Sequence, residues 1–342
     1  MHPRNFLWRV AFGIALCVGC NEDNIQVSPQ APGFPFEIKT WEYSTNHFFV
    51  DTSYRSSYEE YYRSIVPIVN LAGRILSEEV WIQVLGSDTS QITVSRTAVA
   101  CIYLDPRGQG YDSALRTQPL VPGQVESGRF YRLDPAQYQM DGQAFLGVVS
   151  LKTVIPEDAI VAISYSRADG TQYGEYSSQL PADSTLVLKM IKPAHLFSEG
   201  SAYTVAWNQL LKNIYPIGGR QIKDLSVSIR FVSPSFGETD RISGHPLLNV
   251  LGVDRYNTDG TMAPSGDGEF DFRPGFTIDP GEGEIIFPYL RPFDEGILEY
   301  FRSQGLSPPD STYLTPGIYD TVRAVASSNA RYYTIKGRAQ VH

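Results

Sequence analysis

Apolar positions along the chain fall in short runs rich in β-branched and aromatic residues, each bounded by Gly, Pro, Asp or Ser. This is the pattern of strands separated by turns. The clearest runs are Glu79–Leu85, Ala98–Leu104, Ala159–Tyr165, Ser184–Ile191, Leu225–Val232 and Tyr332–Ala339. Helical spacing shows in Tyr58–Ile75, broken at Pro67, in Tyr203–Tyr215, stopped by Pro216 and Gly218, and in Asp294–Gln304. Strand runs at this spacing favour packed β layers over a parallel α/β sheet. The expectation is a mostly β chain of β-sandwich-like modules with a few short helices.

Two blocks share both residue types and spacing. Tyr131–Pro135 ends in Asp-Pro and is followed by Gly147–Pro156; Phe276–Pro280 ends in Asp-Pro and is followed by Gly283–Pro292. In each, an apolar strand end leads through a turn to a Gly that opens a second strand, and Pro closes it. The blocks read as related β-hairpin units, which implies two related modules, residues 35–192 and 193–342.

The N-terminus has a different character. Arg4 and Arg9 precede the apolar run Val10–Val18 and the step Gly19-Cys20, a secretory leader too short to stay as a membrane-spanning helix. Leu16-Cys17-Val18-Gly19-Cys20 resembles a bacterial lipobox, with Cys17 where that motif prefers Leu. Residues 1–19 are therefore expected as signal peptide, Cys20 as the lipid attachment site, and 20–34, with Pro29, Pro32 and Gly33, as a flexible tether. The anchored product would sit at the outer membrane, on its periplasmic or surface face.

Composition narrows the function. At 42% hydrophobic and 12% aromatic the chain can build ordinary cores. A net charge of −9 without any Lys/Arg cluster argues against nucleic acid as a partner. With Cys17 leaving in the leader and Cys20 acylated, only Cys101 remains, inside an apolar run where a buried structural thiol is expected.

At the hairpin blocks the chain resembles the SprA (Sov) family, the large outer-membrane translocon component of type IX secretion and gliding motility in Bacteroidota. The stretches that carry this are Leu251–Asn257, Gly268–Pro280, Gly283–Pro288 and Arg291–Phe293, with Ile160–Tyr165, Tyr173–Tyr176, Leu186–Lys192 and Trp207–Tyr215 before them. They run in family order over roughly residues 75 to 340. The resemblance implies the extramembrane, N-terminal-type region of that family. Family members are several-fold longer and hold themselves in the membrane with a barrel, which this length cannot supply at about 9–11 residues per spanning strand. The leader at Met1 favours a stand-alone lipoprotein of SprA-type modules over a fragment.

Catalytic signatures are sparse. Gly-x-Ser-x-Gly, a Walker-type loop and His-Glu-x-x-His are absent, and no two of the five histidines stand at metal-ligand spacing. One constellation invites a ligand: Asp254, Asn257, Asp259, Asp267 and Asp271 surround a Gly-containing turn, as Ca²⁺ oxygen ligands would, but in the Asp-x-Asn-x-Asp-Gly register the first ligand falls on Arg255. Asx turns that bond their own backbone are the stronger reading. No cofactor is expected. The 21 tyrosines raise a surface glycan-binding lipoprotein as an alternative, and paired carboxylates a β-rich hydrolase. The leading expectation is a non-enzymatic lipoprotein with a structural or accessory role, whose partners are outer-membrane secretion or motility proteins.

Overall fold

The strands with unbroken apolar runs are those covered on both faces, which is the reason they lack the usual alternation. A computed structural model describes residues 33–64, 66–86, 94–141 and 144–342; Cys20 and the leader lie outside them. In chain order the strands are β1 (Phe34–Lys39), β2 (His47–Phe49), β3 (Ile75–Gln83), β4 (Ser95–Cys101), β5 (Val125–Arg132), β6 (Tyr138–Met140), β7 (Val148–Leu151), β8 (Val161–Arg167), β9 (Gln172–Tyr173) and β10 (Leu186–Lys192). They continue with β11 (Ile214–Pro216), β12 (Ile222–Ser233), β13 (Gly237–Thr239), β14 (Arg241–Ile242), β15 (His245–Pro246), β16 (Ile278–Asp279), β17 (Glu284–Ile286) and β18 (Tyr332–Val341). The described residues are mostly β, 33% strand against 19% helix, with a few short helices.

The largest sheet closes on itself. Its order is β10-β4-β5-β3-β8, β8 pairs back onto β10, and β9 extends the edge of β8; only the β10–β4 pair is parallel. Five strands enclose a narrow interior, and the sequence fits it by alternating large and small side chains. Trp81 and Phe130 fill the space that Ala98, Ala100 and Ala162 leave, and Leu186, Leu188 and Met190 of β10 complete the cluster. The intervening residues face outward: Val80, Ile82, Val161, Ile163 and Ile191 into the main core, Val99, Cys101 and Val187 into a small cluster with Leu104.

All the barrel strands fall within 35–192. The remainder of that stretch is shared with the C-terminal half: β1 pairs with β18 in the antiparallel sheet β1-β18-β12-β13, so Phe34, expected as the tether's last residue, opens a strand instead. From Gly33 onward the chain forms one unit, and the main core draws on both halves, from Ile38 to Ala339.

The two similar blocks diverge in use. The second is a hairpin, with Ile278 opposite Ile285 and Asp279 opposite Glu284. In the first, Tyr131 and Arg132 stay in the barrel, and the longer insert supplies β6, which pairs with β7 in the sheet β2-β7-β6. Their opening glycines behave alike: Gly147 (φ +64°) lies on the Tyr54 ring and Gly283 (φ +69°) on the Gly219 carbonyl, where a Cβ has no room.

The helical patches are shorter than their periodicity predicts. The first is α-helical over Arg55–Arg63 and resumes as a single 3-10 turn at Leu71–Gly73. The second is helical over Thr204–Gln209, then turns extended because Ile214, Tyr215 and Pro216 pair with β17. The third holds Ile297–Ser303 after a wide turn at Pro292–Gly296. Among the described residues no helix is long and apolar enough to cross a membrane.

Candidate functional site

The acidic loop brings the five candidate residues together, and their side chains close the loop's own turns. Fully buried Asp254 accepts from the amides of Asp267 (2.9 Å) and Gly268 (3.1 Å), while Asp271 accepts from those of Arg255 (2.7 Å) and Tyr256 (3.2 Å). Asp267 accepts from Thr258 N and Glu269 N, Asp259 from Thr261 N, and Asn257 Nδ2 donates to Thr261 Oγ1. Burial raises both the Asp254 and Asp271 carboxyls above their ordinary range. Among the described residues no three His, Cys, Asp or Glu side chains converge as metal ligands. Arg255, which breaks the calcium register, donates to the carbonyls of Tyr62 (3.3 Å) and Arg63 (3.2 Å) and so caps the Arg55–Arg63 helix.

A cleft of about 790 Å³ opens where the barrel meets the C-terminal half, bordered by Tyr43, Asp158, Lys192, Phe197, Trp207 and Arg323. Its lysine is engaged by the backbone. Lys192 Nζ donates to the carbonyls of Glu157, Ala159 and Pro193, and burial pulls its pKa down to about 8. Arg323 lies over the Tyr43 ring at 4.5 Å, and its buried Nε and Nη2 meet no acceptor among the described residues. Tyr43 and Trp207 are 2% and 8% exposed, so neither offers a ring face for stacking on a sugar.

The feature that motif reading missed lies on the sheet β2-β7-β6. His47 of β2, Ser150 of central β7 and Gln139 of β6 stand opposite one another in register, which sets the three side chains in one row on one face. His47 Nδ1 is 2.8 Å from Ser150 Oγ, and His47 Nε2 is 3.1 Å and 3.0 Å from the two Glu284 oxygens, supplied by β17 of the neighbouring sheet. His47 is buried, Ser150 half-buried and Gln139 exposed. Spacings of 103 and 237 residues carry no local signature; only the register of β2 against β7 could have revealed the pair.

Cys101 is buried on the barrel's outer side, and burial pushes its thiol up to about 11, with Gln118 Nε2 3.0 Å from the sulfur. That is an inert structural thiol. No family model matches the chain, and a search among curated proteins returns no match either.

Proposed function

We propose that the chain is an outer-membrane-associated lipoprotein of SprA-type modules, anchored through Cys20 and acting as a structural or accessory partner in type IX secretion or gliding motility. The observation that carries this reading is the run of family-like stretches in family order from about residue 75 to 340. The use of those residues supports it. Leu251, Val253, Phe270, Ile278, Phe287 and Phe293 are core residues, and Asp254 and Asp271 hold the connecting loop, so the resemblance lies in a scaffold. A scaffold of this kind works by presenting surfaces to other proteins.

One such surface is apolar. Val66, Ile68, Val69 and Leu71 are 77%, 53%, 41% and 66% exposed in the link between the Arg55–Arg63 helix and β3, and clustered apolar exposure of this kind supports a protein-contact role. The test is affinity purification of the full chain from detergent-extracted membranes, beside the Cys20→Ala and Val66→Asp/Ile68→Asp variants. Co-purification of secretion or motility barrel components, weakened by the aspartates, supports the proposal. Membrane retention unchanged in Cys20→Ala removes the anchor from it, and absence of those components from the wild-type eluate removes the role.

A further inference from the structure

We propose that Ser150, His47 and Glu284, with Gln139, form an acyl-transfer site that hydrolyses esters of apolar acyl groups. This goes beyond the scaffold role and does not depend on it. A nucleophile hydrogen-bonded to a base, which is itself oriented by a third group, is the arrangement that activates a serine. Here the serine hydroxyl faces one imidazole nitrogen at 2.8 Å and a carboxylate holds the other. With Glu284 accepting from Nε2–H, the Nδ1 lone pair is left facing Ser150. The two ring nitrogens are used in the opposite sense to the Ser-His-Asp template, and the base needs only a lone pair on the hydroxyl and an anchored N–H on the far side.

The surroundings supply the other requirements. Gln139 stands across Ser150 from His47, where its carboxamide N–H can meet an oxyanion, a role side-chain amides fill in such sites. The row opens onto a cleft of about 500 Å³ whose walls include Tyr61, Tyr62, Met140 and Phe276, with Tyr61 stacked on Phe276 at 5.5 Å. This side suits an apolar acyl group. His47, Gln139, Ser150 and Glu284 also border an adjoining polar hollow of about 310 Å³, where Lys152 and Arg220 pair with Glu282, which suits the alcohol.

The reaction balances with water alone. Ser150 Oγ attacks the carbonyl carbon as its proton passes to His47 Nδ1. The C–O bond to the alcohol then breaks, and the leaving oxygen takes that proton. Water, deprotonated by His47, attacks the acyl-serine, releasing the carboxylic acid and restoring the hydroxyl. Ser150 and His47 are the catalytic residues, Gln139 binds the developing oxyanion, and Glu284 is a positioning residue.

The test uses the detergent-extracted full chain with a fluorophosphonate probe and p-nitrophenyl esters of increasing acyl length. The expected result is labelling at Ser150 and turnover, both lost in Ser150→Ala at an unchanged melting temperature. Gln139→Ala should lower kcat by about 10²-fold with little change in KM. Glu284→Gln should lower kcat with KM and the melting temperature little changed, while Glu284→Asp recovers part of kcat; a bond that served the fold alone would move the melting temperature and not kcat. Wild-type protein that neither labels at Ser150 nor exceeds Ser150→Ala in turnover overturns the proposal, as does labelling at another serine that persists in Ser150→Ala. His47→Gln is secondary, because it also loosens the contact between two sheets.

Discussion

Removing Arg116 exposes how the barrel tolerates a buried charge. Glu175 follows β9 with its side chain fully inaccessible. Its two oxygens accept from Arg116 Nη1 and Nη2, both at 2.7 Å, and one also accepts from Val187 N at 2.9 Å. Arg107 Nε waits at 3.9 Å. Two bonds to a charged partner at about 1.5–3 kcal/mol each set a gross loss of about 3–6 kcal/mol for Arg116→Met. Arg116 is partly solvated, its side chain 23% exposed, and Arg107 can move closer, so the expected net cost is about 3 kcal/mol, at the low end for breaking a buried pair. For a body of this size that is a fall of roughly 6 °C in Tm by scanning calorimetry, at about 2 °C per kcal/mol. Replacing both partners, Arg116→Met with Glu175→Met, leaves no stranded carboxylate and should cost under about 1.5 kcal/mol. A single variant within about 1 kcal/mol of wild type, or a double variant as costly as the sum of the singles, would refute the reasoning.

Other perturbations have defined signs. Burial raises the Asp141 carboxyl to about 6 from 3.8. Its stabilising contribution is therefore complete below about pH 4 and lost as pH rises through 6. The stability difference between Asp141→Asn and wild type should grow in favour of the variant over that window and level off above it, as read by denaturant titration at several pH values. Trp81 is buried inside the barrel with Nε1 unpartnered among the described residues, so Trp81→Phe should cost less than about 1.5 kcal/mol and Trp81→Ala about 3–5 kcal/mol in chemical denaturation. Gly283→Ala places a methyl group against the Gly219 carbonyl at a positive φ and should cost about 2 kcal/mol or more in Tm-derived stability. EDTA should leave the melting temperature unchanged, since the acidic loop's carboxylates already hold its backbone; a chelator-dependent drop would restore the cation.

Much of the fold was legible because its signals are local. The runs at Ala98, Ala159 and Leu186 became barrel strands, since β-branched runs bounded by turn residues are a signal readable within a few residues. Asp-Pro and the opening Gly marked turns for the same reason. The acidic loop was legible only in part, as Asx chemistry that acts over a few residues in the bond from Thr261 N to Asp259; Asp254 and Asp271 instead bond amides 13 to 16 residues away.

What tertiary structure alone decided is pairing over distance. Nothing within β1 specifies β18 as its partner, and nothing in the apolar runs distinguishes a stacked layer from a sheet whose β8 returns to β10. Residues 214–216 carry a helical rhythm yet lie extended, because β17 offers ladder bonds and buried contacts that outweigh a weak propensity. The row of Gln139, Ser150 and His47 against Glu284 belongs to the same class. Strand register and the approach of two sheets bring these side chains within hydrogen-bond reach, and register is fixed by the burial of the whole face rather than by the residues that meet on it.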